Sequence, residues 1–205
     1  ISIDRGKLLD KIEGEYKRFA FTDDGISPRS KLGMDNGIFW NTGDESDEMG
    51  HISEDPQIRI KMMDKRMSRL DLILDSVPIT QQAISFGVHD YTIISWGSTK
   101  GPIIDAQSML KKEGIDIGFI QIKLLHPFPT EHVQSLLKGA KVLIDIEANH
   151  SGQLGKIFKQ NISRDIDYHI LKYTGRGMTS TEIYDSLKKI IQNKAAKREV
   201  LSHGA

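Results

Sequence analysis

The spacing of apolar and polar positions divides the chain into two unlike parts. Between residues 91 and 200, short apolar runs alternate with stretches in which apolar residues recur every three or four positions. The runs Tyr91–Trp96, Ile115–Leu125, Val142–Glu147 and Tyr168–Tyr173 predict strands. The last two are short and mostly apolar, as strands become when helices cover both faces of their sheet. Helices are predicted over Pro102–Lys112, with Pro102 at a first helical position and Gly114 just past the end, and over Thr130–Lys138. There Thr130 is the expected N-cap, and Val133, Leu136 and Leu137 share a face. A last helix follows from "TSTEIYDSLKKIIQ": Thr179 and Glu182 have the spacing of a capping box, and Ile183, Leu187, Ile190 and Ile191 form one stripe. The alternation predicts an α/β fold of three layers, a mostly parallel sheet with helices on both faces joined by right-handed crossovers.

Residues 1–80 lack that rhythm and predict a loop-rich extension with one helix, packed on an α/β domain of residues 81–205. "EYKRFAFTDDGISPRSKLG" begins as a short alternating, strand-like piece, then meets Gly25, Pro28 and Gly33. "NTGDESDEMGHISED" carries six acids and no Lys or Arg, so an exposed, solvated loop is expected. Over Ile58–Asp75 the residues Ile60, Met63, Met67, Leu70 and Leu74 recur at helical spacing. That stripe predicts a core face or a helix-packing seam.

Composition narrows the function classes. With 38% apolar and 27% charged residues the chain is globular rather than disordered. Its 28 basic and 28 acidic residues cancel, which argues against a nucleic acid or a membrane surface as partner. The halves differ: residues 1–80 hold 12 Lys/Arg against 16 Asp/Glu, net −4, and residues 81–205 hold 16 against 12, net +4. Such a dipole suits subunit docking, and ordinary surface variation explains it equally well. No cysteine is present, so the chain supplies no disulfide, no thiolate zinc site and no cysteine ligand for an iron–sulfur cluster. This fits a cytoplasmic protein. The start at Ile1 rather than Met predicts a piece of a longer polypeptide.

Candidate chemistry sits in four polar stretches. "WGSTKGP" turns from a strand into a helix, and Gly97, Ser98, Thr99 and Gly101 could hold an anion on free N–H groups. Neither the P-loop nor the dinucleotide glycine spacing is met. The same residues could instead make a corner whose hydroxyls cap the helix. In the acidic loop, Asp44, Glu45, Asp47 and Glu48 offer oxygen ligands without the calcium-loop spacing. His126 in "LLHPFP" follows a strand, where it could be an acid or base or a hydrogen-bonded structural residue. "IEANHSGQLG" places Glu147, Asn149 and Gln153 where they could meet a ligand or a partner subunit. No Ser/His/Asp set or paired-carboxylate set assembles from these residues.

Together, "YKRFAFTDDGISPRS", "GDESDEMGHISED" and "IISWGSTKGP…LLHPFP…IEANHSGQLG" resemble, in order and spacing, the carboxy-terminal region of the α subunit of 2-oxoacid:ferredoxin oxidoreductases. The resemblance covers nearly the entire chain. It implies core domain II, similar to the transketolase C-terminal domain, in an enzyme that converts a 2-oxoacid, coenzyme A and oxidised ferredoxin to acyl-CoA, CO2 and reduced ferredoxin. It further implies that thiamine diphosphate, magnesium and an iron–sulfur cluster lie mostly on other domains or subunits. No catalytic, cofactor or metal residue is expected in this chain. The implied partners are a β subunit and, through the holoenzyme, ferredoxin, in a dimer of heteromers. The family's Tyr-Pro-Ile-Thr-Pro motif is absent, its place being upstream of Ile1. Ser46 stands where many members carry a histidine. By the resemblance, Ser27, Arg29, Glu45, Glu48, His126, Glu147, Asn149 and Gln153 are interface or active-site-edge residues, with Arg29 reaching toward the active-site side. Two rivals stay open: another thiamine enzyme, such as a 2-oxoacid dehydrogenase β chain, and a phosphate- or nucleotide-binding regulatory module built on the Gly97 corner.

Overall fold

A computed structural model describes residue 3 and residues 5–202, which form two compact units divided between Ser76 and Val77. In the second unit the elements run α2 (Ile79–Gln82), β1 (Ala83–Ser85), β2 (Tyr91–Trp96), a 3-10 turn at Gly97–Thr99 and α3 (Lys100–Lys111). They continue through β3 (Gly118–Ile122), α4 (Thr130–Leu136), β4 (Val142–Glu147), α5 (Gln153–Ile162), β5 (Tyr168–Leu171), α6 (Ser180–Ile191) and β6 (Arg198–Val200). The strands make one six-stranded sheet in the order β1-β3-β2-β4-β5-β6, with β1 antiparallel and every other pairing parallel. This is the mostly parallel α/β fold expected. Two short elements, β1 and β6, escape the sequence pattern because three residues show no periodicity. β3 is shorter than the apolar run that announced it.

Residues alternate sides along each strand, so each strand feeds two cores. Ile93, Phe119, Ile144 and Ile146 join Ile103, Ala106 and Leu110 of α3 and Ile183, Leu187 and Ile190 of α6. Ile94, Ile120, Ile122 and Leu143 join Val133 of α4 and Leu154 and Phe158 of α5 on the other face. Two helices therefore cover each face. This assignment corrects the expectation of uniformly right-handed crossovers. The β2-α3-β3, β3-α4-β4 and β4-α5-β5 units cross in one sense. The β5-α6-β6 unit moves in the same direction across the sheet as β4-α5-β5, but on the opposite face, and so has the opposite hand. The reason is coverage: α3 alone would leave that face open, and the apolar stripe of α6 closes it.

Helix ends follow local chemistry. The capping box of α6 is present, with the Glu182 N–H donating to Thr179 Oγ1 at 3.3 Å and the Thr179 N–H donating to Glu182 Oε2 at 3.0 Å. Glu182 also receives the buried Lys172 ammonium at 2.8 Å, which ties the helix start to the end of β5. Burial pushes the Glu182 carboxyl up, but Lys172 and the two Thr179 donors hold it below the usual carboxylate range. Thr130 is not an N-cap. It is the first residue of α4 and makes no capping bond; Pro129 precedes it.

The first unit contains α1 (Pro56–Ser76), opened by Asp55, whose carboxylate accepts the Gln57 N–H at 2.7 Å. Its apolar stripe is not a core face. Only Met62 of this helix is buried, while Ile60, Met63 and Met67 are 52, 41 and 49% exposed. Tyr16 and Met62 are the unit's buried apolar side chains among the described residues, too few to cover a second stripe. The piece "EYKRFAF" is not a strand: it is bonded to the acidic loop through Phe19 N–H to Glu48 O at 2.9 Å rather than to a sheet. Replacing Thr179 with Ala removes one arm of the box that α6 needs to close its face of the sheet. The Thr179→Ala substitution is expected to cost about 1 kcal/mol, read as a lower urea midpoint with an unchanged m-value.

Candidate functional site

In an open α/β sheet, ligands bind outside the carboxyl ends of the strands where the strand order reverses. Here the chain leaves β2 for β3 on one side and returns to β4 on the other, so the reversal lies between β2 and β4. Two of the predicted polar stretches meet there. Glu147, the last residue of β4, is 1% exposed and fully engaged. Its Oε1 accepts the backbone N–H groups of Leu154 at 2.8 Å and Gly155 at 3.4 Å, in the first turn of α5. Its Oε2 accepts the indole N–H of Trp96, the last residue of β2, at 3.0 Å and the Asn149 amide at 2.7 Å. Asn149 Oδ1 in turn accepts the N–H groups of Ser151 and Gly152. A carboxylate thus sits at a helix N-terminus, where orphan N–H groups and the dipole favour negative charge. Burial raises the Glu147 carboxyl, and its donors, with Asp145, Trp96 and Leu154 foremost, bring it below the ordinary value.

Directly beneath lies a second acid. Asp145 is on the same face of β4, is 0% exposed, and has Oδ2 2.9 Å from Nδ1 of His169 on β5. Burial pushes its carboxyl up to about 7; the His169 hydrogen bond, next in effect, pulls it down, and the neighbouring Glu147 carboxylate adds a further rise. Among the described residues no donor reaches Asp145 Oδ1. A proton on that oxygen, offered to Glu147, satisfies both carboxyls and leaves Oδ2 to accept from His169. Two glycines make the arrangement possible. A Cβ on Gly155 would stand 2.9 Å from His169 Cε1, and one on Gly152, at φ +60°, would stand 3.1 Å from His169 Nδ1. The "GQLG" spacing therefore lets α5 lie on a buried acid–imidazole pair.

The Gly97 corner is built differently from expectation. Thr99 is buried and donates to the Trp96 carbonyl at 2.9 Å, with Ser95 Oγ 2.5 Å from its hydroxyl; neither Ser98 nor Thr99 caps α3. Gly97, at φ +67°, makes the turn, while Ser98 and Gly101 are exposed. His126 is exposed and makes no side-chain hydrogen bond among the described residues, so the hydrogen-bonded structural role does not hold. Gln153 opens α5 and is exposed.

In the first unit, Ser27, Arg29 and Glu45 line one cavity of about 540 Å³. The acidic loop is more ordered than a solvated loop, because its acids are paired. Glu45 meets Arg66 at 2.7 Å and Arg59 at 2.9 Å, and these contacts, led by Arg66, draw its carboxyl down to about 2. Glu48 accepts Lys17 Nζ at 2.9 Å and the Phe21 N–H at 3.0 Å, and Asp47 accepts the N–H groups of Met49 and His51. With those oxygens committed, the loop's geometry is that of a brace rather than a cation cage.

Sequence reasoning missed Trp96, Asp145 and His169. The signal available was Asp145-x-Glu147 inside an apolar run: two acids two residues apart on a strand share a face, and a buried strand cannot leave them unpartnered.

The sequence profile of pyruvate:ferredoxin oxidoreductase core domain II matches residues 89–192. The chain belongs to this family. The chain is 38% identical over 207 residues to the α subunit of 2-oxoacid:ferredoxin oxidoreductase 2 of Aeropyrum pernix. It is 39% identical over 208 residues to the α subunit of the 2-oxoacid:ferredoxin oxidoreductase of Saccharolobus solfataricus. Each match takes in all of this chain and 32% of the relative, so the chain spans about a third of the length of the curated relatives it matches. The solved 2-oxoglutarate:ferredoxin oxidoreductase of Magnetococcus marinus, with 2-oxoglutarate, coenzyme A and succinyl-CoA bound, superposes with a TM-score of 0.76 at 31% identity. That superposition covers 93% of this chain and 33% of the other. Membership of this family decides against the dehydrogenase β chain.

A carboxyl raised by folding makes stability fall with pH. Between about 4, the range of an unfolded aspartate, and about 7, core domain II holds the Asp145 proton and the unfolded chain does not. This group should contribute a downward slope of up to about 1.4 kcal/mol per pH unit in that window, flat above it. Urea titrations at pH 4 to 8 should show the slope in the native protein and its loss in Asp145→Asn.

Proposed function

We propose that this chain is the supporting, domain II part of the α subunit of a 2-oxoacid:ferredoxin oxidoreductase. The whole enzyme converts a 2-oxoacid, coenzyme A and oxidised ferredoxin to acyl-CoA, CO2 and reduced ferredoxin. The loop-rich residues 1–80 join the α/β domain of residues 81–205 to the rest of the subunit. A β subunit completes the enzyme, which works in the cytoplasm as a dimer of heteromers, and ferredoxin docks on the holoenzyme.

The observation that carries this reading is the state of the strand-order reversal. Where a sheet of this type offers a ligand its crevice, Trp96, Glu147 and Asn149 bond to one another and to the start of α5. Polar groups in the place expected for chemistry are spent on holding loops together. Asp145 and His169 are hydrogen-bonded beneath them rather than directed at a crevice.

The chain has no thiolate for an iron–sulfur cluster, and among the described residues no three His, Asp or Glu side chains gather as metal ligands. The acids that could have done so, Glu45 and Glu48, are paired with Arg59, Arg66 and Lys17. No reaction step is therefore assigned to this chain. Its contribution is a rigid sheet edge and a braced loop.

The test is an assay with a 2-oxoacid, coenzyme A and methyl viologen as electron acceptor. The full-length α subunit with its β subunit should turn over, while the 205-residue chain alone, shown folded by circular dichroism, should give no reduction above the enzyme-free blank. Turnover by the isolated chain would refute the supporting role.

A further inference from the structure

The cavity of about 540 Å³ in the first unit has a charge that its surroundings do not predict. Residues 1–80 carry a net charge of −4, yet seven cationic side chains and two carboxylates line this space. Lys7 and Arg66 are neutralised by Asp24 and Glu45. Arg5, Arg18, Arg29, Lys65 and Arg69 have no carboxylate within ion-pair distance among the described residues.

What positions these five is neutral. Lys65 donates to the carbonyls of Phe19 at 2.6 Å and Ala20 at 2.8 Å and to Ser27 Oγ at 2.5 Å, so its three protons are used and its charge is uncompensated. The Arg18 guanidinium lies over the rings of Phe19 and Phe39, 5.2 and 5.7 Å from their centroids. Arg29 donates to the Arg5 carbonyl. The stem of Arg69 crosses Gly25 so closely that a Cβ there would stand 2.6 Å from its Cγ. Burial first, then Arg69, lowers the Lys65 ammonium; Glu48 pulls the other way, and Arg18 adds a smaller lowering. Like charges are being held together, and an anion in the cavity relieves that repulsion.

We infer that this cavity binds a phosphorylated anion of the size and charge of a nucleoside diphosphate. Guanidinium groups match phosphate oxygens bidentately, and the surplus of cations exceeds what one carboxylate would offset. The wall at Phe19 supplies an apolar surface beside the charges. The inference stands on the first unit alone and is independent of the reaction proposed above.

Isothermal calorimetry on the full-length protein, with its copurifying subunits, tests it with inorganic pyrophosphate and ADP as probes and 2-oxoglutarate as the carboxylate comparison. Pyrophosphate and ADP should bind saturably, with affinity falling at least fivefold from 50 to 300 mM NaCl. The double substitution Arg18→Gln, Arg69→Gln should weaken both at least tenfold, while Lys31→Ala, which removes a cation outside the cavity, should change them less than twofold. The double substitution Arg18→Lys, Arg69→Lys retains the charges and should restore most of the binding. No saturable binding, binding of 2-oxoglutarate alone, or phosphate binding that survives the glutamine substitutions would overturn the inference. Should the glutamine protein fail to assemble, the salt series on the native protein decides, and a salt-insensitive affinity overturns it.

Discussion

One carboxylate organises the carboxyl edge of this sheet. Glu147 is buried at the end of a central strand and would be costly there as an isolated charge. Four donors from three directions make it tolerable: two backbone N–H groups at the start of α5, the Trp96 indole and the Asn149 amide. Through them the loops after β2 and β4 are fixed to each other and to a helix. Burial and the adjacent Glu147 carboxylate push up the carboxyl of Asp145 below, and His169 is hydrogen-bonded to its Oδ2. The chain thus fills with its own side chains the place where an open α/β sheet can bind a ligand, and it does so with residue types that would pass for catalytic ones if read singly.

The two units are stabilised by different means. The α/β unit buries two apolar layers, each closed by a helix pair, and the reversed hand of its last crossover is the consequence of needing a second helix on one face. The first unit buries almost nothing apolar and is held by ion pairs and backbone bonds around the acidic loop, with α1 presenting exposed methionines. Stability that rests on exposed pairs is modest and falls with salt.

Much of the second unit was legible because buried parallel strands and amphipathic helices write long patterns. The capping box at Thr179 and Glu182 was readable to the residue. The failures have physical reasons. A three-residue edge strand such as β6 carries no period. Thr130 resembled an N-cap, but Pro129 and the turn before it set the helix start. The stripe Ile60, Met63, Met67 has core spacing, and spacing alone does not say whether anything covers it. The Gly97 corner was legible as a corner, while its locking through Ser95 and Thr99 depended on a strand distant in sequence. The pairing of Trp96 with Glu147 spans 51 positions and could not be read locally.

The Glu147 cluster either braces the protein or takes part in turnover. The direct measurement is Glu147→Gln in the assembled enzyme, with kcat and KM for the 2-oxoacid and coenzyme A recorded beside urea stability. A bracing cluster gives a loss of about 1–3 kcal/mol in stability, with kcat and both KM values per assembled enzyme within twofold of the native protein. A fall in kcat of tenfold or more with stability unchanged would contradict the bracing role.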